Sequence, residues 1–191
     1  MAEASSDRPS TLGALRDSGW VSRPIKQEIR EHAIAKVAAG EALFDGAMYA
    51  HRPDGTGSEP DGMFNLWETL RSGRVRYLPI EPGGAALTVQ GEVDLVMECV
   101  SPSSVGKDTV RLRAAYFAAG VREYWILDGR GGGLAFDLLT RTDDADGWTE
   151  AAPDADGYRV SPVLDRRVRI DRGTNPVGGV RWDVRLEPGD A

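Results

Sequence analysis

The sequence has few of the residues from which disulfides and structural metal sites are made. Its 191 residues include one cysteine, Cys99, and two histidines, His32 and His51. A lone cysteine has no disulfide partner and cannot build a zinc cage of cysteine and histidine ligands. Because Cys99 lies in a mostly apolar run, residues 96–100, we interpret it as a small buried core residue.

Long hydrophobic runs are also absent. No stretch approaches the roughly 18 to 20 consecutive apolar residues that a membrane-spanning helix requires. Residues 1–10 carry two acids, one arginine and no apolar segment of the signal-peptide type. We therefore expect a soluble cytoplasmic protein without membrane association.

The chain lacks an excess of positive charge. It has 23 Lys and Arg against 30 Asp and Glu, a formal net charge of -7. This balance counts against tight non-specific binding of DNA, although an enzyme that holds a divalent metal can be acidic at its site. The patterns of serine-hydrolase elbows and of phosphate-binding loops are missing as well.

The pattern of polar and apolar residues predicts one domain behind a short tail. Residues 1–22 are polar and irregular and are predicted to form a flexible N-terminal tail, and residues 23–191 are predicted to form a single domain. The domain is expected to begin with an amphipathic helix that ends at Gly40 and has an apolar face of Ile25, Ile29, Ala33 and Val37.

The centre of the chain has the pattern of strand, helix and strand. Residues 93–100 and 124–127 are rich in apolar and β-branched side chains, as buried strands are. Between them, Asp108 is predicted to cap a helix that Gly120 ends. A connection of about twenty residues that contains a helix predicts a parallel pair, and continuous apolarity predicts a sheet covered on both faces.

The other segments are predicted to surround this unit. Residues 61–70 are expected to form a strand that runs into a loop, and residues 86–89 a further strand. The C-terminal third is predicted to contribute peripheral antiparallel strands at residues 134–139, 168–170 and 180–186. The expected fold class is α/β, a mixed sheet flanked by helices with extra antiparallel strands.

Two acids interrupt one apolar face of the predicted strand 93–100. Alternation places Asp94 and Glu98 on one face of the strand together with Val96 and Val100. A carboxylate among apolar neighbours is costly unless it meets a cation or hydrogen-bond donors, so Glu98 is a candidate functional residue. Asp94 lies about 13 Å further along at roughly 3.3 Å per residue, too far for both acids to bind one metal ion comfortably.

Asp61 is the best candidate partner for Glu98. It follows Pro60 at the start of an earlier apolar run, and an adjacent strand would bring it within reach at about 4.8 Å spacing. Such a carboxylate pair, completed by water, suits Mg²⁺. From spacing alone, a structural Glu98 held in a salt bridge is an equally good interpretation.

The stretch DLVMECVSPSSVGKDTVRLRAAYFAAGVREYWILD, residues 94–128, closely resembles the signature of the Uma-two family of endonucleases. That family pattern reads PDLVVEVLSPS, then a helix with a tyrosine and a Gly-Val turn, then EYWLVD. Its upstream PD is matched by Pro60-Asp61 within PDGMFNLWETLRSGRVRYL. With a weaker likeness towards the C-terminus, the resemblance covers residues 55–186.

The resemblance implies the restriction-endonuclease fold of the PD-(D/E)xK nucleases, in which acids and a lysine surround a divalent metal. By position, Asp61 and Glu98 would bind Mg²⁺ or Mn²⁺, and Lys107 would be the third catalytic residue. The metal would polarise a phosphodiester of DNA and lower the pKa of the attacking water, and the lysine would orient that water or offset developing charge. Many nucleases of this class cut two strands as dimers, so the resemblance also allows a homodimer.

The sequence departs from this pattern at the lysine. Val100 stands where E-x-K has lysine, and Leu112 stands where many family members place it on the helix. The chain has three lysines, and Lys107 is the one near the motif. Arg111 or Arg113 could substitute, but arginine is a poor proton shuttle because it stays charged.

These departures keep other interpretations open. Asp94 lacks the preceding proline of the family pattern, and we interpret it as a structural or supporting acid. The missing lysine and the acidic balance favour, as the alternative function, a catalytically impaired nuclease-fold module that binds DNA or protein. An RNA substrate is a third interpretation, because no base-reading element is recognisable.

Overall fold

A computed structural model of the chain describes residues 39–44, 47–51, 57–80, 87–131, 133–142 and 146–189. The predicted tail and the apolar positions of the predicted first helix lie outside these residues. The boundary between tail and domain therefore stays a prediction.

The described residues form mainly strands. The first half contains β1 (Gly40–Phe44), β2 (Ala47–Ala50), β3 (Gly62–Leu66), α1 (Trp67–Ser72), β4 (Val75–Pro79), β5 (Leu87–Gly91) and β6 (Leu95–Cys99). A π-helical segment, π1 (Lys107–Leu112), continues directly into α2 (Arg113–Ala118). The remaining strands are β7 (Glu123–Asp128), β8 (Ala135–Thr140), β9 (Thr149–Glu150), β10 (Arg159–Ser161), β11 (Arg166–Thr174) and β12 (Val180–Pro188).

The central layer is a six-stranded mixed sheet in the order β1-β3-β6-β7-β8-β9. Strands β6 and β7 are parallel, with Glu98 opposite Ile126, and the other neighbours in this sheet are antiparallel. The predicted parallel pair and the predicted mixed α/β class are confirmed. Two three-stranded sheets, β2-β5-β4 and β10-β11-β12, complete the described architecture.

The central sheet is covered on both faces, as the continuous apolarity of β6 and β7 predicts. All five residues of β6 are buried. One face packs against β11 and β12 through a cluster that includes Leu95, Met97, Cys99, Trp125, Val168 and Trp182. The opposite face packs against the helical segment and β2-β5-β4 through a cluster that includes Val96, Val100, Leu112, Tyr116 and Tyr124. The predicted alternation along β6 is therefore confirmed.

The prediction for residues 61–70 was wrong in its second half. Strand β3 ends at Leu66 and continues into α1 rather than into a loop. The Trp67 N–H donates to the carbonyl of Ala39, and Gly73, in the left-handed region at φ 75°, ends the helix. A helix of six residues is too short to show a clear 3.6-residue period in the sequence.

Asp108 does not cap the helix, contrary to the prediction. The helical path already includes residues 105–106, and the Asp108 N–H donates to the carbonyl of Ser104 at 2.8 Å, as inside a helix. The turn at residues 102–104 starts the helix instead. The predicted end of the helix at Gly120 is confirmed, because Gly120 adopts φ 81°, the left-handed conformation that often ends a helix.

The C-terminal strands divide between two sheets. The predicted strand 134–139 is not peripheral, because β8 pairs with β7 inside the central sheet. The two later predicted strands are confirmed as antiparallel: β11 pairs with β12 over nine residues in a separate sheet.

A buried carboxylate joins the central sheet to the turn that precedes β11. Glu123, at the start of β7, is fully buried and accepts hydrogen bonds from Trp125 Nε1, Ser161 Oγ and the Val163 N–H at 2.6, 2.6 and 3.2 Å. Burial raises the pKa of Glu123 to about 7, although all three donors oppose this rise. The network therefore has a structural role.

Replacing Glu123 by Gln is expected to lower the free energy of unfolding by about 1–3 kcal/mol, because an amide can no longer accept all three bonds. Chemical denaturation at neutral pH measures the change. Glu150→Gln, at an exposed position of β9, is the matched control, with an expected change below about 0.5 kcal/mol. Equal losses in the two variants would contradict the structural role.

Candidate functional site

Glu98 lies near the C-terminal end of β6, on the face covered by the helical segment. Its side chain is 2% exposed. The strand positions it there because Val96 and Val100, two residues away on either side, belong to the apolar cluster of this face. The predicted buried position of Glu98 is confirmed.

Asp61 lies at the level of Glu98, immediately before the neighbouring strand β3. Gly62 pairs with Met97 in the antiparallel β3–β6 ladder, so the residue before Gly62 comes opposite Glu98. The Cys99 N–H donates to Asp61 Oδ2 at 2.6 Å, which holds the aspartate against the end of β6. The structure therefore brings the two predicted acids together.

Lys107 reaches the same place from the start of π1. Its Nζ lies 3.9 Å from Glu98 Oε2, an ion-pair separation, and 3.2 Å from Asp108 Oδ1. The lysine side chain is 37% exposed, while Glu98 and Asp108 are almost completely buried. The three residues predicted from the sequence thus meet at one point, which is open to solvent on the side of Lys107 and Asp61.

Tyr116 is a site residue that the sequence analysis missed. Its hydroxyl donates to Glu98 Oε1 at 2.8 Å and also lies 2.8 Å from Ser58 Oγ. Tyr116 is fully buried, with ring contacts to Tyr49, His51 and Tyr124. Because it shares a helix face with Leu112, its sequence position indicated only a core residue.

Asp108 is the second missed residue. It is 1% exposed, its Oδ2 accepts a hydrogen bond from Ser104 Oγ, and its carbonyl accepts one from Tyr124 Oη at 2.9 Å. Its Oδ1 accepts no hydrogen bond and faces the charge of Lys107. An aspartate early in a helix is typical of a cap, so its position gave no signal that Asp108 belongs to the site.

The site concentrates negative charge in a buried place. Burial, followed by the charge of Asp61, raises the pKa of Glu98 to about 8, against the opposing effects of Lys107 and Tyr116. Burial lowers the pKa of Lys107, but the surrounding carboxylates outweigh this and leave its pKa raised. Lys107 is therefore a protonated ammonium group at neutral pH.

Asp94 belongs to the scaffold and not to this cluster. Its Oδ2 accepts from the Leu66 N–H and its Oδ1 from Arg122 Nη1, both at 2.9 Å. These bonds tie the start of β6 to the end of β3 and to the residue before β7. The interpretation of Asp94 as a structural acid is confirmed.

The two positions where the family pattern led us to expect a lysine are part of the core. Val100 and Leu112 are each 4% exposed and belong to the apolar cluster of the helix-covered face. Arg111, one of the suggested substitutes, is exposed. In the described part of the chain, Lys107 is the cation that forms an ion pair with Glu98.

The donor set fits a hard divalent cation supplied with water. No cluster of three or more His, Cys, Asp and Glu in metal-binding geometry occurs within the described residues. A divalent metal at this place would have the carboxylates of Asp61 and Glu98 as its protein ligands. Mg²⁺ keeps several waters and binds through one or two carboxylates, whereas a structural zinc site needs four protein ligands.

The arrangement defines an acidic site, with one lysine, at the end of two neighbouring strands of a mixed sheet. A sequence model of the Uma2 family, described as "Putative restriction endonuclease", matches residues 13–170. The chain belongs to this family. The match spans both acids, the lysine and the two residues that the sequence analysis missed.

A solved structure offers a second comparison. It is described as "a putative nuclease belonging to DUF820" from Anabaena variabilis, is 15% identical, and has a TM-score of 0.42 over 82% of this chain and 75% of that chain. No curated protein matches the chain. Within the described residues, no helix is long and apolar enough to cross a membrane.

The raised pKa of Glu98 predicts a dependence of stability on pH. A carboxyl group with a higher pKa in the folded state binds more protons when folded, so the unfolding free energy falls as pH rises between the two values. For Glu98 this interval runs from 4.5 to about 8, and the corresponding interval for Glu123 ends at about 7.

Without divalent metal, the wild type should therefore lose stability between pH 7 and 8, and Glu98→Gln should remove this loss. Urea denaturation in the presence of a chelator at pH 5, 6, 7 and 8 measures the effect. Glu68→Gln, at an exposed position of α1, should retain the wild-type slope. An unchanged slope above pH 7 in Glu98→Gln would show that Glu98 does not titrate there.

Proposed function

We propose that the protein is a divalent-metal-dependent nuclease that hydrolyses phosphodiester bonds in DNA, with Asp61 and Glu98 as metal ligands. The observation that supports this most strongly is the meeting of Asp61, Glu98 and Lys107 at one partly open site. Membership of the Uma2 family agrees with the proposal.

The two acids have different environments and complementary tasks. Asp61 is partly exposed and is held by the N–H of Cys99, so it can meet a metal ion from the solvent side. Glu98 presents Oε2 towards Lys107, while Tyr116 holds Oε1. A bound Mg²⁺ or Mn²⁺ would neutralise this pair, polarise the phosphodiester and lower the pKa of an attacking water.

Lys107 serves as a fixed positive charge in this proposal. Because its pKa is raised, the amino group stays protonated and donates hydrogen bonds rather than accepting a proton. A protonated lysine at this point orients the attacking water or offsets charge that develops on the phosphate oxygens. Lys107 thus takes the place of the lysine of the family pattern, because Val100 and Leu112 occupy the two positions where that pattern has a lysine.

Asp108 and Tyr116 position these groups. Asp108 holds the ammonium group of Lys107 close to Glu98, and Ser104 fixes the carboxylate of Asp108 from the other side. Tyr116 fixes the rotamer of Glu98 and is itself bonded to Ser58. Mutual fixing of this kind holds the carboxylates in place for a metal ion.

The second candidate function is a nuclease-fold module that binds DNA or protein without cutting. It is favoured by the apolar residues at both usual lysine positions and by the net charge of -7. In this case the same acids would bind metal, and no phosphodiester would be cleaved.

Cleavage of supercoiled, linear and single-stranded DNA should require Mg²⁺ or Mn²⁺, and Asp61→Asn and Glu98→Gln should each reduce the rate at least about 100-fold, because each removes a metal ligand. Glu68→Gln is the control and should cut at the wild-type rate.

Calorimetric titration with Mn²⁺ should show metal binding by the wild type and loss of this binding in Asp61→Asn and Glu98→Gln. Metal binding without cleavage of any substrate would refute the nuclease and support the module; cleavage of RNA alone would correct the substrate.

Lys107→Met should reduce the cleavage rate by about 10- to 100-fold, because it removes the positive charge beside Glu98 without adding bulk. Lys107→Arg retains the charge and should recover part of the rate. Arg111→Met, which removes an exposed cation from the same helical segment, should cut normally. A reversal of this order would assign the catalytic charge to Arg111.

A further inference from the structure

Strand β12 forms an open edge of the sheet β10-β11-β12. It runs for nine residues, Val180–Pro188, and pairs on one side with β11 in an uninterrupted antiparallel register. No strand among the described residues pairs with its other side. A long edge without a bulge presents backbone N–H and C=O groups that can pair with a further strand.

The two faces of β12 differ in character. Val180, Trp182, Val184 and Leu186 pack on the core cluster beneath the central sheet, and Val180, Val184 and Leu186 remain partly exposed. The opposite face carries a row of charged residues, Arg181, Asp183, Arg185 and Glu187, each of which also forms an ion pair within its own protomer. An added strand would thus have to match apolar residues on one face and charges on the other.

The charged row is complementary to itself when it is reversed. In an antiparallel pair of two β12 strands centred on Val184, Arg181 comes opposite Glu187 of the other strand, and Asp183 comes opposite Arg185. Both combinations occur twice by symmetry, and this register overlaps all nine residues of the strand. Opposite charges that face each other across two strands stabilise a sheet, whereas like charges destabilise it.

Neighbouring registers lack this match. A shift that moves the centre to Asp183 puts that aspartate opposite itself and Arg181 opposite Arg185. A centre at Arg185 puts the arginine opposite itself and Asp183 opposite Glu187. All three registers place the apolar side chains of both strands on the same face of the sheet. The charged residues therefore distinguish the register centred on Val184 from the other two.

We propose that the protein forms a two-fold symmetric homodimer in which β12 of one protomer pairs antiparallel with β12 of its partner, centred on Val184. The pairing joins the two three-stranded sheets into one continuous six-stranded sheet and covers both open edges. The apolar face of β12 then continues across the two-fold axis. This assembly does not depend on the proposed nuclease activity.

Two charge reversals test the pairing. Arg185→Asp places a second carboxylate opposite the partner's Asp183, and Asp183→Arg places a second guanidinium opposite the partner's Arg185. Each variant alone should raise the dimer dissociation constant at least about tenfold, because attraction becomes repulsion at two symmetric positions. An equimolar mixture of the two variants restores both opposite-charge pairs, so it should form a heterodimer with close to wild-type affinity.

Sedimentation equilibrium of the full chain over a concentration series measures these constants. Arg76→Asp, which makes the same charge change at an exposed position of β4, should dimerise like the wild type, and thermal unfolding should show that all variants fold. Recovery in the mixture supports the pairing, since misfolded variants would not rescue each other. A wild type that keeps the mass of one chain at the highest soluble concentration overturns the proposal, as do single variants that dimerise normally or a mixture that stays monomeric.

Discussion

The parallel pairing of β6 with β7 organises the other elements of the fold. Parallel strands need a crossover connection, and here the connection is the helical stretch π1–α2, which returns over one face of the sheet. The other face is covered by β11 and β12. Because both faces are covered, all of β6 is buried, and the Glu98 carboxylate near its end costs free energy unless neighbouring groups compensate it.

The groups that surround Glu98 at the site partly compensate for this cost of burial. The crossover enters beside the C-terminal end of β6, so the same connection that covers Glu98 also delivers Lys107 and Tyr116 to its two oxygens. The antiparallel register of β3 delivers Asp61 to the same level. A cation, a phenolic donor and a second acid thus surround Glu98 for topological reasons, and this grouping is the basis of the proposed metal site.

Much of this arrangement could be predicted from the sequence because it is periodic. Alternation along residues 93–100 assigned Glu98 and Asp94 to one face of the strand, and an adjacent strand was expected to carry Asp61. Helix α1 was missed because its single turn and a half has no resolvable period, and Asp108 was misread because an acid early in a helix usually caps it. Tyr116 and Ser58 could not be predicted, since their meeting depends on how the helix packs over the sheet.

From sequence alone, the mixed α/β class, the parallel strand pair and the face of the strand that carries Glu98 could be predicted, because these depend on local periodicity. Asp61 was the best candidate partner for Glu98, and Lys107 was implied by the resemblance to the family. The folded structure was needed to show that Asp94 supports the scaffold, that Lys107 rather than an arginine meets Glu98, and that Asp108 and Tyr116 hold the site together. Such contacts join residues that are distant in sequence or lie on different faces of one turn. Their formation depends on strand register and helix packing, which the chain sets only when it folds as a whole.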